Sequence, residues 1–241
     1  MHHLSKSRKR LKRLWTALQQ GDPEAVHEAR KLTRRAQAEQ HVAGTPGHVR
    51  REWRALRQTV AVLRDRDVAG THLISMLEEF GAPRADTDQF KAAWAIRRAL
   101  VLAELALPKR PSSYVLQGHW KRRVRATLAE DRTALHTETA GVAATRDPVV
   151  WHTFRKHLKR YRYTAELLET APQVVLDVLD HLGQLQDAQV LLDLLGQEAW
   201  LPSYRDRLME QARRDQEEAR QRVRQRMDEL NAHFGGEAVP S

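Results

Sequence analysis

A chain of 241 residues with 41 Lys and Arg against 31 Asp and Glu carries a net charge of +10 and a pI near 10.3. It has no cysteine, which excludes a disulfide framework and a thiolate metal site. No apolar run approaches the ~20 residues that span a bilayer, and the basic N-terminus has no signal-peptide core. We expect a cytoplasmic protein with an anionic partner.

Leu4 to Gln19 reads as a first helix, with Leu11, Leu14, Trp15 and Leu18 at apolar spacing and Lys12 and Arg13 elsewhere. Gly21-Asp22-Pro23 stops it and starts a second, Asp as N-cap and Pro at the first helical position. This second helix runs to about Val42. His27, Arg30, Lys31, Arg34 and Arg35 stand at i, i+3, i+4, i+7 and i+8, one face of a helix. Val26, Ala29, Leu32, Thr33 and Ala36 fall on the opposite, packing face.

After the turn Gly44-Thr45-Pro46-Gly47, a third helix is predicted from His48 to Arg64, with Arg50, Arg54 and Arg57 on one face. Asp65-Arg66-Asp67-Val68 begins or bends into a fourth that ends near Phe80-Gly81. A fifth spans Asp86 to Leu107, with Phe90, Trp94, Ile96, Leu100 and Val101 turned to the core. Pro108-Lys109-Arg110-Pro111 marks the boundary between halves.

The order then restarts. Tyr114 to His136 reads as a basic helix carrying Arg122 and Arg125, and Gly141 to Asp147 as a loop. Pro148 to Thr170 repeats the earlier pattern: His152, Arg155, Lys156, Lys159 and Arg160 on one face, Trp151, Phe154, Leu158, Tyr161 and Ala165 on the other. Tyr163 shares the His152 face. Leu182 to Val190 matches Val60 to Val68, each with an aspartate, Asp187 and Asp65, suited to orienting a His or Arg side chain. A long helix of mixed charge runs from Pro202 to Phe234, and Gly235 to Ser241 reads as a disordered tail.

No segment alternates as a strand does. The expected fold class is all-α, with internally duplicated helical bundles, a pseudo-twofold, and a basic central pore or cleft. The expected organisation is one domain over 1–234 built of two repeats, about 4–107 and 112–234, followed by the tail 235–241.

The basic stripes are almost free of acids: Glu28 is the only one from His27 to Arg35, and His152 to Tyr163 has none. Like charges at i, i+4 cost a few tenths of a kcal/mol each. A chain that accepts this cost twice, at the same spacing, is built to hold a polyanion. No catalytic residue, metal site or cofactor is expected. The aspartates lack the second carboxylate that acid–base chemistry or Mg²⁺ uses, and His152 and His157 do not share a helix face as a zinc pair does. A Gly-rich phosphate loop is absent.

The doubled His-x-x-Arg-Lys-x-x-basic-Arg helix, each followed by its Leu-x-x-Leu-x-Asp-x-x-Val-like element, resembles the CHAD family, the conserved histidine α-helical domain. The resemblance covers about Leu4 to Asn231. It implies two pseudo-symmetric helical bundles around a basic pore that binds inorganic polyphosphate, in members found alone on polyphosphate granules or fused to triphosphate-tunnel domains. Carried over, His27, Arg30, Lys31, Arg34 and Arg35 line one side, and His152, Arg155, Lys156, Lys159, Arg160 and the Tyr163 hydroxyl the other. Lys12, Arg13, Arg50, Arg54, Arg57, Arg122 and Arg125 flank them.

Two departures make the pore lopsided. Ala36-Gln37-Ala38 stands where the second copy has Tyr161-Arg162-Tyr163, and Val174 to Leu185 has no Lys or Arg to match Arg50, Arg54 and Arg57. A phosphate chain has no bases to read. It suits forked guanidiniums and point-charge ammoniums, with counterion release driving a steep salt dependence. Nucleic acid is the competing partner, but the aromatics fall on packing faces and offer no stacking platform. A membrane partner is not expected.

Overall fold

The computed structural model describes residues 3–4, 6–116, 118–197 and 200–236. Among these the protein is all-helical: α1 (Lys6–Gln19), α2 (Pro23–Ala43), α3 (Gly47–Glu79), α4 (Arg84–Glu104), α5 (Trp120–Ala144), α6 (Pro148–Ala165), α7 (Gln173–Gln197) and α8 (Arg205–Gly235). The exception is a small antiparallel pairing of β1 (His3–Leu4) with β2 (Val115–Leu116). The chain divides into two compact units, one within His2–Leu116 and Val190–Ala212, the other within Gln117–Gln189 and Arg213–Ser241.

In the first unit, Asp22 caps α2 by accepting from the Ala25 amide at 2.7 Å, with Pro23 in the first turn. Gly44 ends the helix in the left-handed region at φ 63°, and its amide reaches the carbonyls of Gln40 and His41. Val26, Ala29, Leu32, Thr33 and Ala36 are buried as their spacing predicts. The alanines let α2 lie close to α3, which contributes Trp53, Leu56, Val60 and Leu63 to the same core. A second cluster in this unit joins Leu73 and Leu77 of α3, Phe90 and Trp94 of α4, and Leu191, Leu195 and Leu208.

In the second unit, Asp147 caps α6 through the Val149 amide at 2.8 Å. Trp151, Phe154, Leu158 and Tyr161 pack on Val175, Val178 and Leu182 of α7 and on Val223 and Leu230 of α8. Each such large side chain, fully buried, contributes about 1.5–3 kcal/mol. The packing face of α6, read from its spacing, is the one observed.

Several expected boundaries move. The third and fourth helices are one, because the aspartates that suggested a break bond to other helices instead of capping the backbone. Asp65 takes Arg30, and Asp67 takes Arg98, whose Nη2 also reaches the Gly21 carbonyl at 2.6 Å. Gly70 lies inside α3, and Trp94 occupies the space of its missing side chain: an added Cβ would lie 2.2 Å from the indole nitrogen. Tyr114 does not start a helix. β2 pairs with β1, and the Tyr114 hydroxyl donates to buried Glu39 at 2.5 Å.

α5 continues through Gly141 to Ala144, where a loop was expected, since Val142 is anchored in the core. α6 stops at Ala165, short of Thr170, and α8 starts at Arg205 after Leu201 at φ 50°. Of the residues expected in the core, Ile96 and Leu100 are 65% and 51% exposed. Gly235 closes α8 and so does not belong to the tail; residues 237–241 lie outside the described residues.

Candidate functional site

In the first unit the polar face of α2 meets a row of arginines on α3. Arg30 donates its Nη2 to Asp65 Oδ1 at 3.2 Å, and Arg57 donates Nη1 to Gln37 Oε1 at 2.5 Å. The Arg57 guanidinium is held below its ordinary pKa, by burial first and then by Arg54 and Arg30. His27 is also held below its usual value, by burial first and then by Lys31 and Arg64, with Glu24 and Glu28 opposing. Lys31 pairs with Glu28 at 2.7 Å, a bond that lowers the Glu28 carboxyl. Arg50 and Arg54 are exposed, as is Lys31, while Arg34 is half-buried.

Arg35 is bonded within α2. Its Nε donates to Glu39 at 3.3 Å, and Glu39 also accepts from Ser7 at 3.4 Å and from Tyr114. Its bond is to a buried carboxylate, the arrangement that leaves a charge satisfied inside a protein. Lys12 and Arg13 are exposed on α1.

In the second unit His152 Nδ1 lies 2.8 Å from Gln186 Oε1 of α7. With Nδ1 donating to the amide oxygen, Nε2 is the ring nitrogen left to meet a ligand. His152, Arg155 and Lys156 line one cavity of about 250 Å³, together with Arg220 of α8 and the side chains of Leu182, Leu185, Gln186 and Gln189. Arg160 is drawn off, as Arg35 is. It grips buried Asp131 of α5 with Nη2 at 2.5 Å and Nε at 3.2 Å. Lys159 is half-buried. Tyr163 lies under the Arg162 guanidinium, 5.3 Å from it, and Arg162 holds Glu166 at 2.7 Å. Arg122 and Arg125 are exposed in the first turns of α5.

The structure thus gathers His27, Arg30, Lys31, Arg54 and Arg57 on one face, and His152, Arg155 and Lys156 around one cavity. Two cations join them that spacing alone did not single out. Arg64 extends the Arg50, Arg54, Arg57 series by one more step of seven, a signal present in the sequence. Arg220 sits in a run of mixed charge on α8 that gives no hint of it. The expected aspartate role holds for Asp65, which orients Arg30.

An all-helical protein whose Asp-Pro-capped helices bury one side and carry His, Arg and Lys on the other is defined by these features. Among the described residues, no helix is long and apolar enough to cross a membrane. The sequence profile of the CHAD domain matches residues 2–196, and the chain belongs to the CHAD-domain family. In structure it is similar to PptA from Streptomyces chartreusis, at TM-score 0.64 and 16% identity, covering 92% of this chain and 95% of that one. At this identity the likeness speaks for the fold. No curated protein matches the chain.

Proposed function

We propose that the protein binds inorganic polyphosphate along the His/Arg/Lys faces of its Asp-Pro-capped helices, as a module without catalysis of its own. The observation that carries this is the crowding on α2 and α3. Burial, then Arg54 and Arg30, weakens the hold of Arg57 on its proton, and burial, then Lys31 and Arg64, does the same to His27. Like charges brought this close cost folding free energy that a bound polyanion would return. The binding groups are His27, Arg30, Lys31, Arg54, Arg57 and Arg64 in the first unit, and His152, Arg155 and Lys156 in the second. Arg35 and Arg160, each bonded to a buried carboxylate, support the helices. The halves arose by duplication of one helical unit, and the protein works in the cytoplasm on polyphosphate granules.

Nucleic acid is the weaker reading, because Trp53, Trp151, Phe154 and Tyr161 are buried and offer no face for a base. Competition tests the two: labelled long-chain polyphosphate is displaced at physiological salt by unlabelled polyphosphate, single-stranded or duplex oligonucleotide at equal phosphate. Polyphosphate should compete at least tenfold better. An Arg30→Ala, Arg54→Ala, Arg57→Ala variant should lose affinity, and the slope of log affinity against log salt should fall by about one per contact removed. Equal competition by oligonucleotide would make the face a general polyanion surface.

A further inference from the structure

One exposed helix face of the first unit has the reverse character of the basic stripes. α4 buries Phe90, Trp94 and Val101 on one side. On the other it exposes Ala92, Ala95, Ile96, Ala99, Leu100 and Ala103, with Ile96 65% and Leu100 51% open to solvent. Steps of three and four make these residues one stripe, about three turns long. The stripe holds no charge, in a chain that is 30% Asp, Glu, Lys and Arg. Arg97 and Arg98 lie half-buried off the stripe, and Arg98 is already bonded to Asp67 and the Gly21 carbonyl. Charges are depleted in this way at the centre of interfaces.

We propose that this face pairs with the same face of a second copy, the two α4 helices running antiparallel about a twofold axis. The order of the residues carries it. A twofold level with the gap between Arg97 and Arg98 sets Ile96 against the partner's Ala99, Leu100 against the partner's Ala95, and Ala92 against the partner's Ala103. At about 100° per residue, Ile96 and Leu100 stand on one flank of the stripe and Ala95 and Ala99 on the other. The rotation therefore seats the large side chains of each copy in the alanine row of the other. The ends fix the direction. Lys91 and Glu104 bound the stripe on opposite flanks, and the same twofold brings Lys91 beside the partner's Glu104 at both ends. A parallel pair would gather two lysines at one end and two glutamates at the other. Lys91 holds Glu78 at 3.3 Å with 44% of its side chain exposed, and its ammonium has further donors for a second carboxylate. One helix per protomer is less than the roughly 1,200–2,000 Å² of a standard interface, and each copy carries a charge of +10, so the dimer is reversible.

Sedimentation velocity on the full chain, without polyanion, tests it. The protein should pass from monomer to dimer as its concentration rises from about 5 to 200 µM. It should do so in about 1 M salt as well, where a Debye length of ~3 Å removes bridging by stray polyanion. Ile96→Glu and Ala99→Lys, both at exposed positions, should keep their melting temperatures within about 2 °C and each weaken dimerisation about tenfold or more. Mixed in equal amounts they should associate again, because the new carboxylate then meets the new ammonium across the twofold. Regained association also shows that both variants are folded. A native chain that stays monomeric throughout would overturn the proposal, as would Ile96→Glu dimerising like the native chain. Dimers lost at high salt would overturn it too, since the link would then be ionic. Two variants that remain monomeric when mixed would overturn the antiparallel register.

Discussion

Arg30 and Asp65 stand on different helices, 35 positions apart, and meet at 3.2 Å across the polar face of the first unit. The arginine is mostly covered, with 22% of its side chain exposed, while the aspartate is 53% exposed. An ion pair this open is worth about 0–1 kcal/mol of stability. Its value lies in orientation, since it fixes the guanidinium among Arg54 and Arg57. Asp65→Asn should therefore leave the melting temperature within about 2 °C and lower polyphosphate affinity about threefold. Tighter binding would mean that Asp65 merely competes with the ligand.

His27 predicts a pH dependence with a definite sign. Its folded-state value lies below the usual 6.5, by burial and by Lys31 and Arg64, against the opposing pull of Glu24 and Glu28. Without ligand, the unfolded chain takes up this proton more readily. The group's contribution to stability is thus intact above about pH 6.5 and declines as the pH falls through that value toward the folded one. A bound polyanion favours the imidazolium, so binding should draw in a proton and tighten severalfold from pH 8 to pH 6. Titrations in buffers of different ionisation enthalpy read the uptake directly. In His27→Ala both the uptake and the tightening should shrink; if they persist unchanged, another group carries the dependence.

Asp131 tests the assignment of Arg160 to the scaffold. The aspartate is 4% exposed and receives two bonds from one guanidinium. Because 44% of the Arg160 side chain reaches solvent, the arginine rehydrates when its partner is removed, which keeps the loss at the low end for such pairs. Asp131→Ala should cost about 2 kcal/mol, seen as a lower denaturation midpoint, while polyphosphate affinity of the folded protein changes less than twofold.

Gly70 sets two opposing effects against each other. Alanine gains about 1 kcal/mol of helix propensity over glycine. Against this, the new methyl would sit 2.2 Å from the Trp94 indole, and Trp94 is wedged against Phe90 and Trp200 with 6% exposure. Overpacking a core costs about 1–3 kcal/mol, so the net should be destabilising by ~1 kcal/mol and lower the melting temperature by about 2–4 °C. A more stable Gly70→Ala would show that Trp94 has room to move.

Local grammar was legible wherever the information is local. Asp22-Pro23 and Asp147-Pro148 start helices because an aspartate side chain and a proline φ act within one turn. The spacing of Val26, Ala29 and Leu32, and of Trp151, Phe154 and Leu158, named the buried faces, because a helix repeats every 3.6 residues whatever it packs against. By elimination the same spacing named the basic faces.

What remained was decided by partners distant in sequence. Asp65 and Asp67 looked like a helix break until Arg30 and Arg98 claimed them from other helices. Ile96 and Leu100 looked like core, but α4 turns them outward while Phe90 and Trp94 fill the available space. Arg35 and Arg160 matched their neighbours in pattern, yet buried Glu39 and Asp131 capture them, and no wheel shows which carboxylate lies beneath a helix. The cavity beside His152 needed leucines of α7, a glutamine and an arginine of α8, and the amides between them to converge. Helical periodicity determines which side of each helix is wet; only tertiary packing decides which wet cations remain for a ligand, because a charge is committed by whatever lies within a few ångströms of it.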